Sequence, residues 1–360
     1  MGIYIFNVLA LLIIYFVLYT CFSKQKAEKL IGKIAVIQMS LIAGLRGLGV
    51  GTDTLNYFNI FIAGSKMNLK EMFGYYIEPG YLLISKLIAF FGGNFQLFLI
   101  IISFIIYSGI YYLIKYESKN KLLSWFLFIT IGYFSSTMNI LRQYLALVLI
   151  IFAIVNYLEN NSFMKSCAFI AIACLFHTSA ISIIAILGYH KIMYRSNIKN
   201  LKHFKFIFFF ASVFFVVFIT QITSLMSSMG IIKYEYEFAV IGAGYSISLL
   251  DFNLIVKVAC SILYFYIIKN VNLDIKSKEK LGFWNYINIL SCFIYIASTY
   301  VSLYSRFNMY LSIFSIIFIP NLLMHIKERK LLIIVYFLFF IMFIISLPNK
   351  DTVPWGMGFF

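Results

Sequence analysis

Leu331-Leu-Ile-Ile-Val-Tyr-Phe-Leu-Phe-Phe-Ile-Met-Phe-Ile-Ile-Ser-Leu347 contains no charged residue and no break in its apolar character. Phe206 to Met226 reads the same way. Neither run alternates at period two, so each is a helix rather than a strand. Chains with no water to satisfy their backbone groups cross hydrocarbon as helices or as closed barrels. Composition extends that reading to the whole chain. Its 360 residues are 62% hydrophobic and 12% charged, against roughly 45–50% apolar and 25% charged in soluble domains. The fold class is therefore all-α, a polytopic helical membrane protein. The first run, Ile3 to Phe22, has no basic stretch before it and no small-residue cleavage site after it, and it reads as a retained span.

The net charge of +16 suggests a nucleic-acid partner until the charges are placed. Of the 29 Lys and Arg, 20 fall in six short stretches: Lys24–Lys33, Lys115–Lys121, Glu159–Lys165, Lys191–Lys205, Lys269–Lys280 and Lys327–Lys330. Short basic loops stay in the cytoplasm, so the charge is a topology signal and no nucleic acid is implied. Keeping all six inside requires an even number of crossings between them. Spans are expected near 3–22, 32–48, 94–114, 122–136, 143–158, 206–226, 251–268, 281–301, 307–324 and 331–347. The stretch Ser166–Tyr189 is too long for one span and too short for two. It reads as two half-length helices meeting at Phe176-His177-Thr178-Ser179, at a junction lining a cavity. The expectation is a single integral membrane domain over 1–360 with about 12 crossings, counting the short broken helices. Both termini lie outside, with an outer loop and interfacial helix at 49–93 and a second outer loop at 227–250.

The five cysteines sit within apolar runs without paired spacing, which predicts neither a disulfide nor a metal site. The strong charges outside the basic loops are few. Arg46, Arg142 and Arg306 lie in or against apolar helices, where an arginine costs roughly 2.5–3.5 kcal/mol near mid-bilayer. Snorkelling to the headgroups is the bland account of each. Three converging on one membrane face, with outward acids, describe a site for a lipid-linked phosphate or pyrophosphate, which guanidinium forks bind bidentately. Asp53 follows Gly47, Gly49 and Gly51 and could equally cap a helix. Glu78 precedes Pro79 at a helix start and could simply complement the dipole. His177 is either a hydrogen-bonded structural residue or, at a helix break beside Thr178 and Ser179, a catalytic group. The stretch Ser227–Leu250 is rich in Tyr, Gly and Glu, which suits sugar recognition. Its Glu235 and Glu237 are the nearest thing to a metal-binding acidic pair, but there is no Asp-x-Asp, and no metal or other cofactor is expected.

Five blocks carry a family likeness. They are Arg46 with Val50-Gly51-Thr52-Asp53, Tyr57 and Phe61; Glu78-Pro79-Gly80-Tyr81 with Gly92-Gly93-Asn94; Asn139-Ile140-Leu141-Arg142-Gln143 with Ala146; Phe176-His177-Thr178-Ser179-Ala180; and Arg306-Phe307-Asn308-Met309-Tyr310. In this order they resemble the EpsG family of Wzy-like polysaccharide polymerases. The tail Pro354-Trp355-Gly356-Met357-Gly358-Phe359-Phe360 only loosely resembles that family's aromatic end. The resemblance implies a GT-C-like membrane glycosyltransferase joining repeat units carried on undecaprenyl pyrophosphate, at the outer face of the bacterial cytoplasmic membrane. It implies Arg46, Arg142 and Arg306 on the pyrophosphate and His177, Asp53 and Glu78 as candidate general bases. Tyr57, Tyr81, Gln143, Glu235 and Glu237 would meet the glycan. The implied partners are the lipid-linked oligosaccharide, membrane lipid and a chain-length regulator protein.

Three other functions fit parts of the pattern. An O-antigen ligase of the same fold would use similar arginines with a different acceptor. A lipid-linked oligosaccharide flippase should show internal repeats and charges along the full bilayer depth, and the sequence shows neither. An extracellular glycan acyltransferase would want a histidine in a comparable setting.

Overall fold

A computed structural model describes residues 1–192, 251–300, 303–326 and 328–358. The expected span 206–226, most of the basic loop Lys191–Lys205, the outer segment 227–250, and with it Glu235 and Glu237, lie outside the described residues. Within them the protein is helical, and its one extended pairing is an isolated antiparallel bridge between Arg46 and Met357. Seven described helices are long and apolar enough to cross a membrane: Gly2–Cys21, Phe95–Glu117, Leu141–Asn160, Phe252–Asn270, Ile275–Ser298, Tyr304–Leu323 and Lys330–Asn349. Four shorter apolar helical stretches accompany them, at Pro79–Phe90, Lys121–Thr130, Phe163–Ala173 and Thr178–His190. The chain forms two compact units, Met1–Ile183 with Ile326–Phe360, and Ile184–His325.

The first unit begins with α1 (Gly2–Cys21) and α2 (Lys24–Gly44). The basic stretch Lys24–Lys33 is thus not a loop, as the sequence suggests, but the opening turns of α2. Lys, Gln, Ala, Glu and Ile are all adequate helix formers, so the charge does not break the helix. At this end Glu28 pairs with Lys121 at 2.6 Å. The far end of α2 approaches α6 (Phe95–Glu117) closely, because a Cβ on Gly44 would lie 2.7 Å from the Ile100 Cα. The segment expected at 49–93 as an outer loop with an interfacial helix holds three helices, α3 (Thr54–Lys66), α4 (Leu69–Gly74) and α5 (Pro79–Phe90). A reciprocal capping box starts α4, with Asn68 and Glu71 satisfying each other's backbone N–H. Phe73, Phe90 and Phe91 project from α4 and the end of α5 and are more than three-quarters exposed, as suits residues resting against lipid.

The two spans expected at 122–136 and 143–158 appear as a broken series. It comprises α7 (Lys121–Thr130), α8 (Tyr133–Asn139) and α9 (Leu141–Asn160). Gly132, at φ +102°, makes the first break. The irregular backbone is tolerable because it is buried in protein and braced by hydroxyls: Tyr107 pairs with Thr137 at 2.7 Å and Ser136 with Tyr144 at 2.6 Å. α9 is the most enclosed of the long helices, 78% buried along its apolar window, and packs on α6 and on α10 (Phe163–Ala173). After α10 the chain leaves the helix at Cys174, passes through Leu175–His177 and makes one 3-10 turn, Thr178–Ile181, before α11 (Ser182–His190). Two short helices do meet at the Phe176–Ser179 junction that the sequence predicts.

The second unit contains α12 (Phe252–Asn270), α13 (Ile275–Tyr300), α14 (Leu303–Ser312) and α15 (Ser315–Leu323). The span expected at 307–324 is therefore two helices with a break at Ile313–Phe314. The last helix, α16 (Arg329–Ser346), returns to the first unit and packs on α7. Beyond it the tail is sewn down. The Tyr4 hydroxyl donates to the Thr352 carbonyl at 2.8 Å, and Trp355 Nε1 donates to the Ile42 carbonyl at 3.1 Å. The Gly47 and Gly358 amides bond across to Gly356 and Leu45.

Candidate active site

The Glu78-Pro79-Gly80 turn is where distant segments of the first unit meet. Pro79 occupies the first helical position of α5, where its missing N–H costs nothing. The next residue comes against the broken junction after α10: the Gly80 amide donates to the Leu175 carbonyl at 2.8 Å. A Cβ there would lie 2.6 Å from that same oxygen, so only glycine lets the two backbones approach this closely.

Glu78 stands at the N-cap position of α5 yet makes no side-chain cap bond to it. Its carboxylate turns instead toward two other segments. One oxygen accepts from Arg142 Nη1 on α9. The other accepts from the Thr178 backbone amide at 3.3 Å and lies 3.9 Å from His177 Nδ1. Side-chain exposures of 24%, 13% and 15% for Arg142, Glu78 and His177 make this a shallow polar cluster rather than a sealed core pair. Half-buried geometry of this kind lets a ligand reach charges that bulk water screens only partly. Arg142 also hydrogen-bonds Tyr57 on α3. Its Nε–H is buried and has no hydrogen-bond partner among the described residues.

His177 is held by its own turn. The Ser179 backbone amide points at Nδ1 from 3.4 Å and the Ser179 hydroxyl lies 3.0 Å from it. A backbone N–H can only donate, so Nδ1 carries the lone pair in this arrangement and Nε2 carries the proton. The sequence names Ser179 beside His177 at the helix break without giving it a role of its own. Its place two residues after His177 was the signal that could have given it one.

Beneath the cluster lie aromatic side chains. Tyr57 on α3 is 5% exposed and Tyr81 on α5 is fully buried, with ring centroids 5.7 Å apart. Burial pushes the Tyr57 hydroxyl up to about 12, opposed by the neighbouring Arg142 guanidinium, while Asp53 raises it further. Tyr57 thus reports that both Arg142 and Asp53 are near it. Asp53 sits half-buried at the N-cap of α3 without a side-chain cap bond, so the capping role open in the sequence is not taken up. Gln143 is 2% exposed. Tyr57, Tyr81 and Gln143, which the sequence places against glycan, are all buried in this structure, with Tyr57 and Tyr81 near Arg142.

Arg46 lies apart from this cluster's polar contacts. It is completely buried. Its guanidinium donates to the Ala43 carbonyl, to the Met138 carbonyl at 3.2 Å and to Thr54 Oγ1 at 3.4 Å. Thr54 in turn donates to the Val50 carbonyl at 2.6 Å. Gly51, at φ +87°, completes this turn, and a Cβ on it would strike Asn139 Oδ1. Asn139 also donates to Asp351 of the tail at 3.2 Å. The motif around Arg46 is therefore a buried clasp joining α2, α3, α8 and the tail. Arg306 belongs to the second unit, on α14, where its side chain is exposed.

The EpsG family model matches residues 29–355. No curated protein and no solved structure matches the chain.

Proposed function

This chain belongs to the EpsG family of Wzy-like polysaccharide polymerases, and from that premise we propose that it joins undecaprenyl-pyrophosphate-linked repeat units by glycosyl transfer at the outer face of the bacterial cytoplasmic membrane. The observation that carries the reading is the Glu78–Arg142–His177 cluster. It gathers an anion-binding fork with an unspent donor, a carboxylate and an oriented imidazole from three segments far apart in sequence.

Arg142 and Arg306 are assigned to diphosphate, each within its own unit. Glu78 is the counter-ion of Arg142. An incoming diphosphate competes for that guanidinium, presenting more acceptor oxygens in the geometry the fork prefers. Glu78 is thereby released to act as general base, within hydrogen-bond reach of an acceptor hydroxyl. The hydroxyl proton passes to Glu78 and the new C–O bond forms at the donor's anomeric carbon. The bond from that carbon to the diphosphate breaks, and the departing electron pair stays on the diphosphate, opposite fixed positive charge. His177 donates from Nε2 to a substrate oxygen. Asp53 is the second carboxylate near Tyr57 and the alternative base. Fixed guanidinium charge supplies what a metal would supply elsewhere, so the reaction proceeds with a chelator present.

The outward orientation is supported by the two ends of α2. Its 21 residues extend about 30 Å, so its two ends are well separated. One end carries the basic stretch and the Glu28–Lys121 pair, and the other carries Arg46 and the clasp. The basic end belongs inside.

In cells carrying Arg142→Ala, single repeat units on their lipid carrier should accumulate at the outer face while long chains disappear. An impermeant glycan-modifying enzyme added to spheroplasts reads the sidedness. Accumulation at the inner face would mean a transport defect and would remove the polymerase reading.

A further inference from the structure

Unit two holds a buried cation that the proposed reaction does not use. Lys257, on the second turn of α12, is 6% exposed. Among the described residues no carboxylate lies within ion-pair distance of its ammonium. An ionisable side chain enclosed within a membrane-spanning helix is costly to keep and is ordinarily retained for a task. Its contacts indicate which.

The Lys257 ammonium donates to the Ser291 hydroxyl on α13. Having accepted there, Ser291 donates to Asn308 Oδ1 on α14 at 2.7 Å. All three side chains are at least nine-tenths buried, so the chain of donors has one direction and links three helices. Asn288, one turn before Ser291, ties α13 to α12 again, donating to the Lys257 carbonyl at 2.7 Å and to Ser261 Oγ at 2.9 Å. On its other side the ammonium stands 5.5 Å from the Tyr295 ring centroid. The Tyr295 hydroxyl donates at 2.8 Å to Asp251, which caps the start of α12 through the Asn253 and Leu254 amides.

Asn308 and Arg306 share α14, two positions apart. Two positions on a helix differ by about 200°, and accordingly Asn308 is buried and Arg306 exposed. α14 is only ten residues long and is followed by a break, so its rotation is not set by continuity with a longer helix. The Ser291–Asn308 bond holds that rotation alongside the packing of buried Tyr310 and Leu311, and the Lys257 ammonium holds Ser291.

We infer that Lys257 is a positioning residue for Arg306, acting through Ser291 and Asn308 to set the rotation of α14 and so the direction in which the guanidinium is presented. The inference rests on the assignment of Arg306 to diphosphate. The charge on Lys257 has a use in this scheme: it polarises Ser291 and shortens its bond to Asn308 more than a neutral donor would.

The test is a double-mutant cycle on the full-length protein. Polymerisation rate is measured in membrane vesicles from a polymerase-null strain expressing each variant, supplied with the lipid-linked repeat units that strain accumulates. Lys257→Met is close to isosteric and removes the charge. It should lower the rate about tenfold, a loss of the size seen for coupled neighbours. Combined with Arg306→Lys it should lower the rate no further than Arg306→Lys alone, because a misdirected guanidinium and an absent one are the same defect. A general weakening of the fold would instead add to the Arg306 loss. Should Lys257→Met fail to accumulate, Ser291→Ala keeps the charge, breaks the link and is expected to show the same non-additivity. A damaging Arg306→Lys beside a silent or additive Lys257→Met or Ser291→Ala would overturn the positioning role and leave the diphosphate assignment intact. A silent Arg306→Lys would remove both.

Discussion

Arg142→Lys should reach the membrane at the normal level and lose polymer by about a hundredfold to a thousandfold, the scale for removing one preorganised donor aimed at developing charge. Lysine keeps the positive charge and can keep a bond to Glu78, so the Glu78–Thr178 docking of α5 survives. What it loses is the planar fork, including the buried Nε–H that no described residue satisfies. A point charge cannot grip two diphosphate oxygens at once. The loss should fall on the rate at saturating donor as well as on apparent affinity, because the charge on the diphosphate is greatest as its bond to carbon breaks. Polymer of normal length and amount from Arg142→Lys would reduce the residue to a structural partner of Glu78.

Arg46→Ala should fail at an earlier stage, with little protein accumulating in the membrane. Its guanidinium serves the carbonyls of Ala43 and Met138 and the hydroxyl of Thr54, all buried. Each orphaned carbonyl costs about 1–3 kcal/mol, and the truncation adds a cavity at a fully buried site. Even the lower end of that sum is a large part of the 5–15 kcal/mol that typically separates folded from unfolded protein. Membrane abundance and the unfolding temperature in detergent measure the effect. Normal accumulation of Arg46→Ala with loss of polymer alone would mean that Arg46 meets ligand, contrary to its burial.

The contrast between these two arginines shows what the sequence could convey. Both lie in apolar context inside family-like motifs, and from sequence both read as anion ligands. Only the course of the chain around each separates them: Arg46 is enclosed by the Gly51 turn, α8 and the tail, whereas Arg142 emerges at the start of α9 beside a turn of α5. Glu78-Pro79-Gly80 was legible because proline and glycine impose backbone geometry locally. The Phe176–Ser179 junction was legible because its flanking segments were the wrong length for the topology. Long apolar helices were legible for the same kind of reason, since hydrocarbon thickness sets their length.

Other features were beyond local reading. Nothing in sequence marks Tyr57 and Tyr81 as buried with their rings 5.7 Å apart. The tail's part in the clasp depends on contacts more than 300 residues apart in sequence, such as Trp355 with Ile42. Lys257 carries no motif in the sequence, because Ser291 and Asn308 reach it only through the packing of three helices.

On the proposed function, this chain alone, without a metal, should convert lipid-pyrophosphate-linked repeat units into polymer. The direct measurement uses the purified full-length protein in liposomes, given lipid-linked repeat units in the presence of a chelator, with chain length read on a gel. Chains of many repeats should form in a preparation of the wild-type protein and be nearly absent with Glu78→Gln or Arg142→Lys. Unextended single units with the wild-type protein, or polymer formed equally well by both variants, would contradict it.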